Sequence, residues 1–265
     1  MSGDVFVTWD QFKVMVSEHI KTNSGPRLCR GQSDSRWALR TTFHRHANGI
    51  TFKDYFNIVK ELADTIGTIE DRRIDASDPE INASFLAYLQ HHGFPTPLLD
   101  WTMSPYIAAY FAFSGVNDQA PTSDKVSVWV FDFVKWLKRW KAVYDYNIQD
   151  SHVSVLKPKS SGNKRQVIQQ GMYYLWTNVD DMASHIKHHE TLQNEEYLRK
   201  YDLSVNERFN VMTELEAMGI SEYSLFGTTD ALCRYFREAV FRRDELGKGG
   251  LLRFVEYLKT IERHK

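Results

Sequence analysis

Gln90-His91-His92-Gly93-Phe94-Pro95-Thr96-Pro97-Leu98-Leu99-Asp100-Trp101-Thr102 is the stretch on which the fold and the chemistry of this chain turn. Its thirteen residues hold two imidazoles, an amide, a carboxylate, an indole and two hydroxyls. Predicted helices flank it. Upstream, Asp78-Pro79 gives an N-cap with proline at the first helical position, and Gly93 supplies the stop. Downstream, Ser104-Pro105 repeats the start signal, and the apolar run from Ile107 to Phe113 ends at Gly115, which predicts a largely buried helix. The stretch therefore reads as a loop held between rigid elements, the place where functional side chains gather. The same residues also suit a capping role. Imidazolium at His91 or His92 complements the partial negative charge of a helix C-terminus, and Asp100 or Thr102 can satisfy the first amides of the next helix.

Thr8-Trp9-Asp10-Gln11 matches a capping box, and Phe12, Val16, His19 and Ile20 continue at helical spacing, so a helix is predicted over 8–22. Asn23-Ser24-Gly25-Pro26 breaks it, and Arg27-Leu28-Cys29-Arg30-Gly31 reads as a brief strand. Tyr55, Phe56, Val59, Leu62, Ala63 and Ile66 place a helix within 52–73. Val126 to Phe131 is rich in β-formers and predicts an interior strand, and Gln166 to Trp176 a second one around Gly171. Asn178-Val179-Asp180-Asp181 caps a polar helix, and helices near 206–218, 228–243 and 249–262 complete the chain. No repeat or linker forces a boundary. The expectation is one α+β domain over 1–265 with helices outnumbering strands.

The 265 residues carry 33 Lys+Arg against 34 Asp+Glu, which excludes a general polyanion binder and leaves any such role to a local patch. One patch exists: between Phe133 and Gln166, eight Lys/Arg against two Asp give +6, and Lys157-Pro158-Lys159-Ser160-Ser161-Gly162-Asn163 reads as an exposed loop. Cys29 and Cys233 form no CxxC, which excludes a zinc ribbon or a secreted disulfide framework and fits free thiols in a reducing compartment. No basic start precedes an apolar run, and no stretch approaches the roughly 18 apolar residues of a membrane span, so a cytoplasmic protein without membrane contact is expected.

Arg30-Gly31-Gln32-Ser33-Asp34-Ser35-Arg36-Trp37 is the second chemically suggestive stretch. Glycine permits close approach of a ligand or of backbone, and a guanidinium is a natural fork for phosphate or carboxylate; a turn salt bridge is the plainer reading. His44 with His46, His91 with His92, and His185, His188 and His189 with Glu190 look like ligand sets on paper, but HExxH is absent and surface histidines are the expectation, with no metal. Arg27 and Arg30 would lower the pKa of Cys29, although no base for a Cys-His pair is identified. GxSxG, P-loop and GxGxxG motifs are absent, which disfavours serine hydrolase, P-loop NTPase and Rossmann readings.

Taken in order, these segments resemble the FRG domain, a family named for a Phe/Tyr-Arg-Gly motif. Its first signature matches Cys29-Arg30-Gly31-Gln32 with Trp37 and Leu39. Its second, QHxGxPTxLLDWTxxPxxAxxFA, matches Gln90-His91, Gly93, Pro95-Thr96, Leu98-Leu99-Asp100-Trp101-Thr102, Pro105, Ala108 and Phe111-Ala112. Arg165 with Gln169-Gln170-Gly171-Met172-Tyr173, and Met218-Gly219-Ile220 with Ser224-Leu225-Phe226, are weaker matches, so the resemblance spans roughly 27–236. Cys29 replaces the family's aromatic residue, Pro97 stands where arginine is common, and Gly227-Thr228-Thr229 replaces a Pro-Asp-Leu type sequence.

The family's motif order is similar to that of ADP-ribosyltransferase folds, and this resemblance implies a split central sheet with several surrounding helices and NAD as substrate. Arg30 would then hold a phosphate or ribose, with Gly31, Gln32 and Trp37 beside it. Thr102 or Ser104 would support the nicotinamide ribose, Trp101 or Tyr110 would line the nicotinamide pocket, His91 and Thr96 would contribute to cofactor binding, and the strand carrying Gln169 and Gly171 would face the reacting ribose. Cleaving the ribosyl-nicotinamide bond passes through an oxocarbenium-like state that a carboxylate stabilises. The expected glutamate position reads Gln169-Gln170-Gly171, which leaves Asp100 or Asp132 as substitutes and a buried bridging amide as the plain reading of Gln169. Two functions follow: an NAD-consuming ADP-ribosyltransferase, toxin or phage-defence effector, or a non-catalytic module recognising a nucleotide or protein in the same cleft. Nucleic-acid binding through 133–166 ranks third.

Overall fold

The computed structural model describes residues 5–21, 25–76, 78–116, 123–140, 150–156 and 173–241. Helix α1 (Trp9–Lys21) starts as its sequence predicts: Thr8 N donates to Gln11 Oε1 at 2.9 Å, and Gln11 N donates back to Thr8 Oγ1. Strand β2 (Leu28–Gln32) follows β1 (Val5–Phe6), and the short helix α2 (Thr42–His46) leads to the long amphipathic α3 (Phe52–Ile69). Helix α4 (Pro79–His91) is capped by Asp78, whose carboxylate accepts from Ile81 N, and Gly93 ends it with a φ of +84° that favours glycine. Ser104 caps α5 (Pro105–Ser114), accepting from Ile107 N.

The predicted loop over 90–102 is corrected here. Leu98–Trp101 forms strand β3, because its backbone pairs antiparallel with β6 (Tyr173–Thr177), which in turn pairs with β5 (Val153–Leu156). A second strand the sequence did not announce, β7 (Leu198–Ser204), lies inside the larger sheet, whose order is β1-β7-β4-β2 with β4 at Lys125–Phe131. Only the β1–β7 pair in that sheet is parallel. Helix α6 (Phe133–Arg139) follows β4, and α7 (Met182–Gln193) is capped by Asp181 as predicted. Among the described residues the protein is an α+β fold of ten α-helices and two sheets. The predicted helix at 249–262 and the loop at 157–163 lie outside the described residues.

The two sheets are joined at one point. Cys29 and Thr102 exchange backbone hydrogen bonds of 2.7 and 2.9 Å, an isolated bridge between the start of β2 and the end of β3. Strand alternation then sorts the side chains. Leu28, Trp129, Phe131 and Leu198 from the large sheet meet Leu99, Trp101, Val155 and Leu175 from the small one, with Trp136 and α7 closing the cluster. The opposite face of the small sheet presents Leu98, Leu156, Tyr174 and Trp176 to α3 and α4, forming a second core with Phe43 and Tyr55. On the far side of the large sheet, α5 presses so closely on β2 that a Cβ at Gly31 would come within 2.0 Å of the Ala108 carbonyl oxygen.

The chain divides into two units between Thr213 and Glu214, within α8 (Arg208–Ala217). In the second unit, Gly219 ends that helix with positive φ, Ser221 and Ser224 form a capping box on α9 (Glu222–Phe226), and α10 (Thr229–Phe241) follows. Among the described residues no helix is long and apolar enough to cross a membrane.

Candidate functional site

Arg30 leaves β2 on the face shared with Leu28, in register with Trp129 of β4. Its Nη1 donates to the Asp100 carbonyl oxygen at 2.7 Å, tying the two motif strands together. The guanidinium is half-buried, and burial lowers its pKa; the nearby Asp100 carboxylate opposes that shift and the Arg45 guanidinium adds to it. Arg45 comes from α2, a helix the sequence did not announce, and its position beside Arg30 is visible only in three dimensions.

Asp100 is accessible at the surface, yet the protein packed around it desolvates its carboxylate and raises the pKa, with Arg30 and His91 acting in the opposite direction. Its Oδ2 accepts from Gln90 Nε2 at 2.6 Å, and Gln90 Oε1 accepts from the hydroxyl of fully buried Thr96. Thr96 is held in turn by Thr42, whose Oγ1 accepts from Thr96 N and donates to Thr96 O. A relay of Thr96, Gln90 and Asp100 thus fixes the carboxylate from behind. Gln90 stands in the motif stretch but carries no helical or strand signal that marks its role. His91 is exposed at the end of α4, where its Nδ1 donates to the Ala87 carbonyl and the ring lies close enough to favour the Asp100 anion.

Several sequence-predicted site residues go elsewhere. Asp100 and Trp101 are adjacent on a strand and so point to opposite faces; Trp101 is 1% exposed in the core against Phe131, which corrects its assignment to a nicotinamide pocket. Tyr110 is buried on α5 and packs edge-on to Phe111. Gln32 is buried with both ends committed, Oε1 to Trp129 Nε1 at 2.6 Å and Nε2 to the Ala38 carbonyl. Gly31 admits the backbone of α5 and no ligand on that side. Buried Thr102 accepts from Ser104 N, and Ser104 caps α5, so both hydroxyls serve local structure. Trp37 is 54% exposed on the turn after β2. Gln169 and Gly171 lie outside the described residues, as does most of the basic portion of 133–166. Asp132 caps α6 through Lys135 N and pairs with Arg27 at 3.3 Å, which removes it as a substitute carboxylate.

Burial settles the cysteine and histidine expectations. Desolvation outweighs the Arg27 charge and pushes the Cys29 thiol up to about 12, so it is no nucleophile at neutral pH. His185 and His189 are half-buried against each other, with His189 packed on Trp136 and Trp140, a correction to their reading as solvated surface groups. Among the described residues no cluster of His, Cys, Asp and Glu has the arrangement of a metal site.

The segment from the start of β2 through α5 contains both motif strands, the relay and Arg45. Residues 26–120 match the family model of the FRG domain. The match takes in both strong signatures, Arg30-Gly31 and Gln90 through Ala112, and stops short of the two weaker ones. No curated protein and no solved structure matches the chain.

Proposed function

We propose that the FRG segment binds a nucleotide of the NAD class at Arg30 and Asp100, and that the chain cleaves its ribosyl-nicotinamide bond to transfer or hydrolyse ADP-ribose. The observation that carries this reading is a surface-accessible carboxylate, Asp100, beside the Arg30 guanidinium, which Arg45 neighbours in turn. Arg30 and Arg45 supply the planar forks that suit a pyrophosphate. Asp100 supplies the negative charge that faces the oxocarbenium-like carbon as the C1′–N1 bond breaks and its electron pair leaves with nicotinamide. A carboxylate whose charge is poorly solvated gains more than a hydrated one from a cation developing in front of it. The Thr96–Gln90 relay holds that charge in place. Water or an acceptor nucleophile then bonds to C1′ and releases its proton to solvent.

Asp100→Asn tests this, because an amide of the same shape still accepts from Gln90 Nε2. Nicotinamide release from NAD should fall by about a hundredfold or more while NAD affinity stays within a few-fold. If the wild-type protein neither binds NAD by calorimetry nor releases nicotinamide, the reading fails.

A second reading, recognition of the nucleotide without turnover, is favoured by the burial of Trp101 and Tyr110, which withdraws both rings expected to cradle nicotinamide. NAD binding with no nicotinamide released would select it.

A further inference from the structure

A cavity of roughly 620 Å³ lies on the face of the large sheet opposite Arg30, between α1 and the sheet, and falls within the size range of small-molecule sites. Its floor follows from strand register. Cys29, Val130 and Arg199 pair in sequence across β2, β4 and β7, so their side chains form one row on that face. Phe12 and Val16, one helical turn apart on α1, form the apolar roof. Met15 and Met103 border it, and unbranched thioether side chains adapt readily to different occupants. The neutral Cys29 thiol adds no charge to the floor.

The walls carry two guanidiniums, Arg27 and Arg199, against one carboxylate, Glu18, and the two arginines are not equivalent. Arg199 is committed on both edges, to the Glu196 carboxylate and to Tyr201 Oη. Arg27 makes one ion contact, to Asp132 at 3.3 Å, long for a charge-assisted bond, and its side chain keeps 30% of its surface accessible. The second large concavity, roughly 740 Å³ beside the C-terminal half of α3, offers no such selection, because Lys60, Arg72 and Arg73 alternate there with Asp64, Asp71 and Asp75.

We infer that the cavity under α1 is a binding site for a small carboxylate with an apolar body, its carboxylate on the open edge of Arg27 and its body against Phe12, Val16 and Val130. A flexible acyl chain and a flat aryl group both satisfy this chemistry. The site is independent of the nucleotide reading, since Arg30 emerges from the other face of β2.

Calorimetry on the full chain with decanoate, 2-naphthoate and decanol tests it. Wild type should bind at least one of the two carboxylates about tenfold more tightly than decanol, and the better carboxylate tells whether an acyl or an aryl body fits. Arg27→Gln should weaken that carboxylate by about tenfold and leave decanol within twofold, so that decanol also reports an intact cavity. Met15→Trp at the rim should weaken both. Decanoate and naphthoate that bind no better than decanol, or that go unbound, overturn the inference without recourse to any variant. So does equal loss of carboxylate and decanol in Arg27→Gln.

Discussion

Replacing Gly31 by alanine separates two roles that the Arg-Gly motif can play. A Cβ at this position would sit 2.0 Å from the Ala108 carbonyl oxygen and 2.5 Å from the Ala112 amide nitrogen, both backbone atoms of α5. An ordinary carbon-to-carbonyl contact is about 3.3 Å, so strand and helix must part by about 1.3 Å. Neither neighbour is a side chain that can swing away. Overpacking of this kind costs about 3 kcal/mol, at the upper end of its usual range. All seven tryptophans, Trp9 through Trp176, lie within the Met1–Thr213 unit, so the fluorescence transition in urea reports on that unit alone. With a slope of about 3 kcal/mol/M the midpoint should drop by about 1 M. A Gly31→Ala protein within about 0.5 kcal/mol of wild type would refute the packing account and restore the ligand-approach reading of the motif.

Gly115→Ala should be destabilised by a clash with Ser33 Oγ at 2.2 Å, and Ser33→Ala in the same chain should recover most of the loss in the same urea assay, because here the obstacle is a side chain. Of the two thiols, exposed Cys233 should react with an aromatic disulfide reagent at neutral pH, and Cys29, raised to about 12, should react only after unfolding; two fast thiols would contradict its burial. The pKa of His185 is lowered to about 4 by burial first and by His189 next, so the unfolded chain binds the extra proton. Its contribution to stability is complete above the ordinary value of about 6.5 and disappears as pH falls towards 4, so His185→Gln should flatten the melting temperature over that window. Lys200→Met leaves the Asp202 carboxylate without its 3.3 Å partner in a mostly buried position and should cost about 3 kcal/mol; adding Asp202→Asn should return part of it in thermal unfolding.

The helices were legible because their signals are local. Thr8 with Gln11, Asp78, Ser104 and Asp181 cap in the structure as they do in the sequence. The strands were less so. β7 reads Leu-Arg-Lys-Tyr-Asp-Leu-Ser, and its charges argue against an interior strand until Lys200 is seen lying over the Trp129 ring and beside Asp202, with Ser127 donating to the same carboxylate. Trp129 and Ser127 come from β4 and have no sequence proximity to Lys200 and Asp202. β3 follows two prolines and reads as loop because the pairing that makes it a strand belongs to β6, more than seventy residues downstream. For the candidate site, the two suggestive stretches named Arg30 and Asp100, which the structure brings together, but alternation along β3 sent Trp101 into the core while Asp100 stayed outside. The Thr96–Gln90 relay and Arg45 required the fold.

Among the described residues, the pairing of Cys29 with Thr102 is an isolated bridge that links the backbones of the two sheets. Among the described residues, the hydrogen bonds that tie β2 to β3 are two amide bonds and the Arg30-to-Asp100 contact, and the core shared by both sheets packs against them. The Cys29 and Thr102 amide protons are therefore the two whose exchange with solvent reports directly on whether β2 and β3 stay paired.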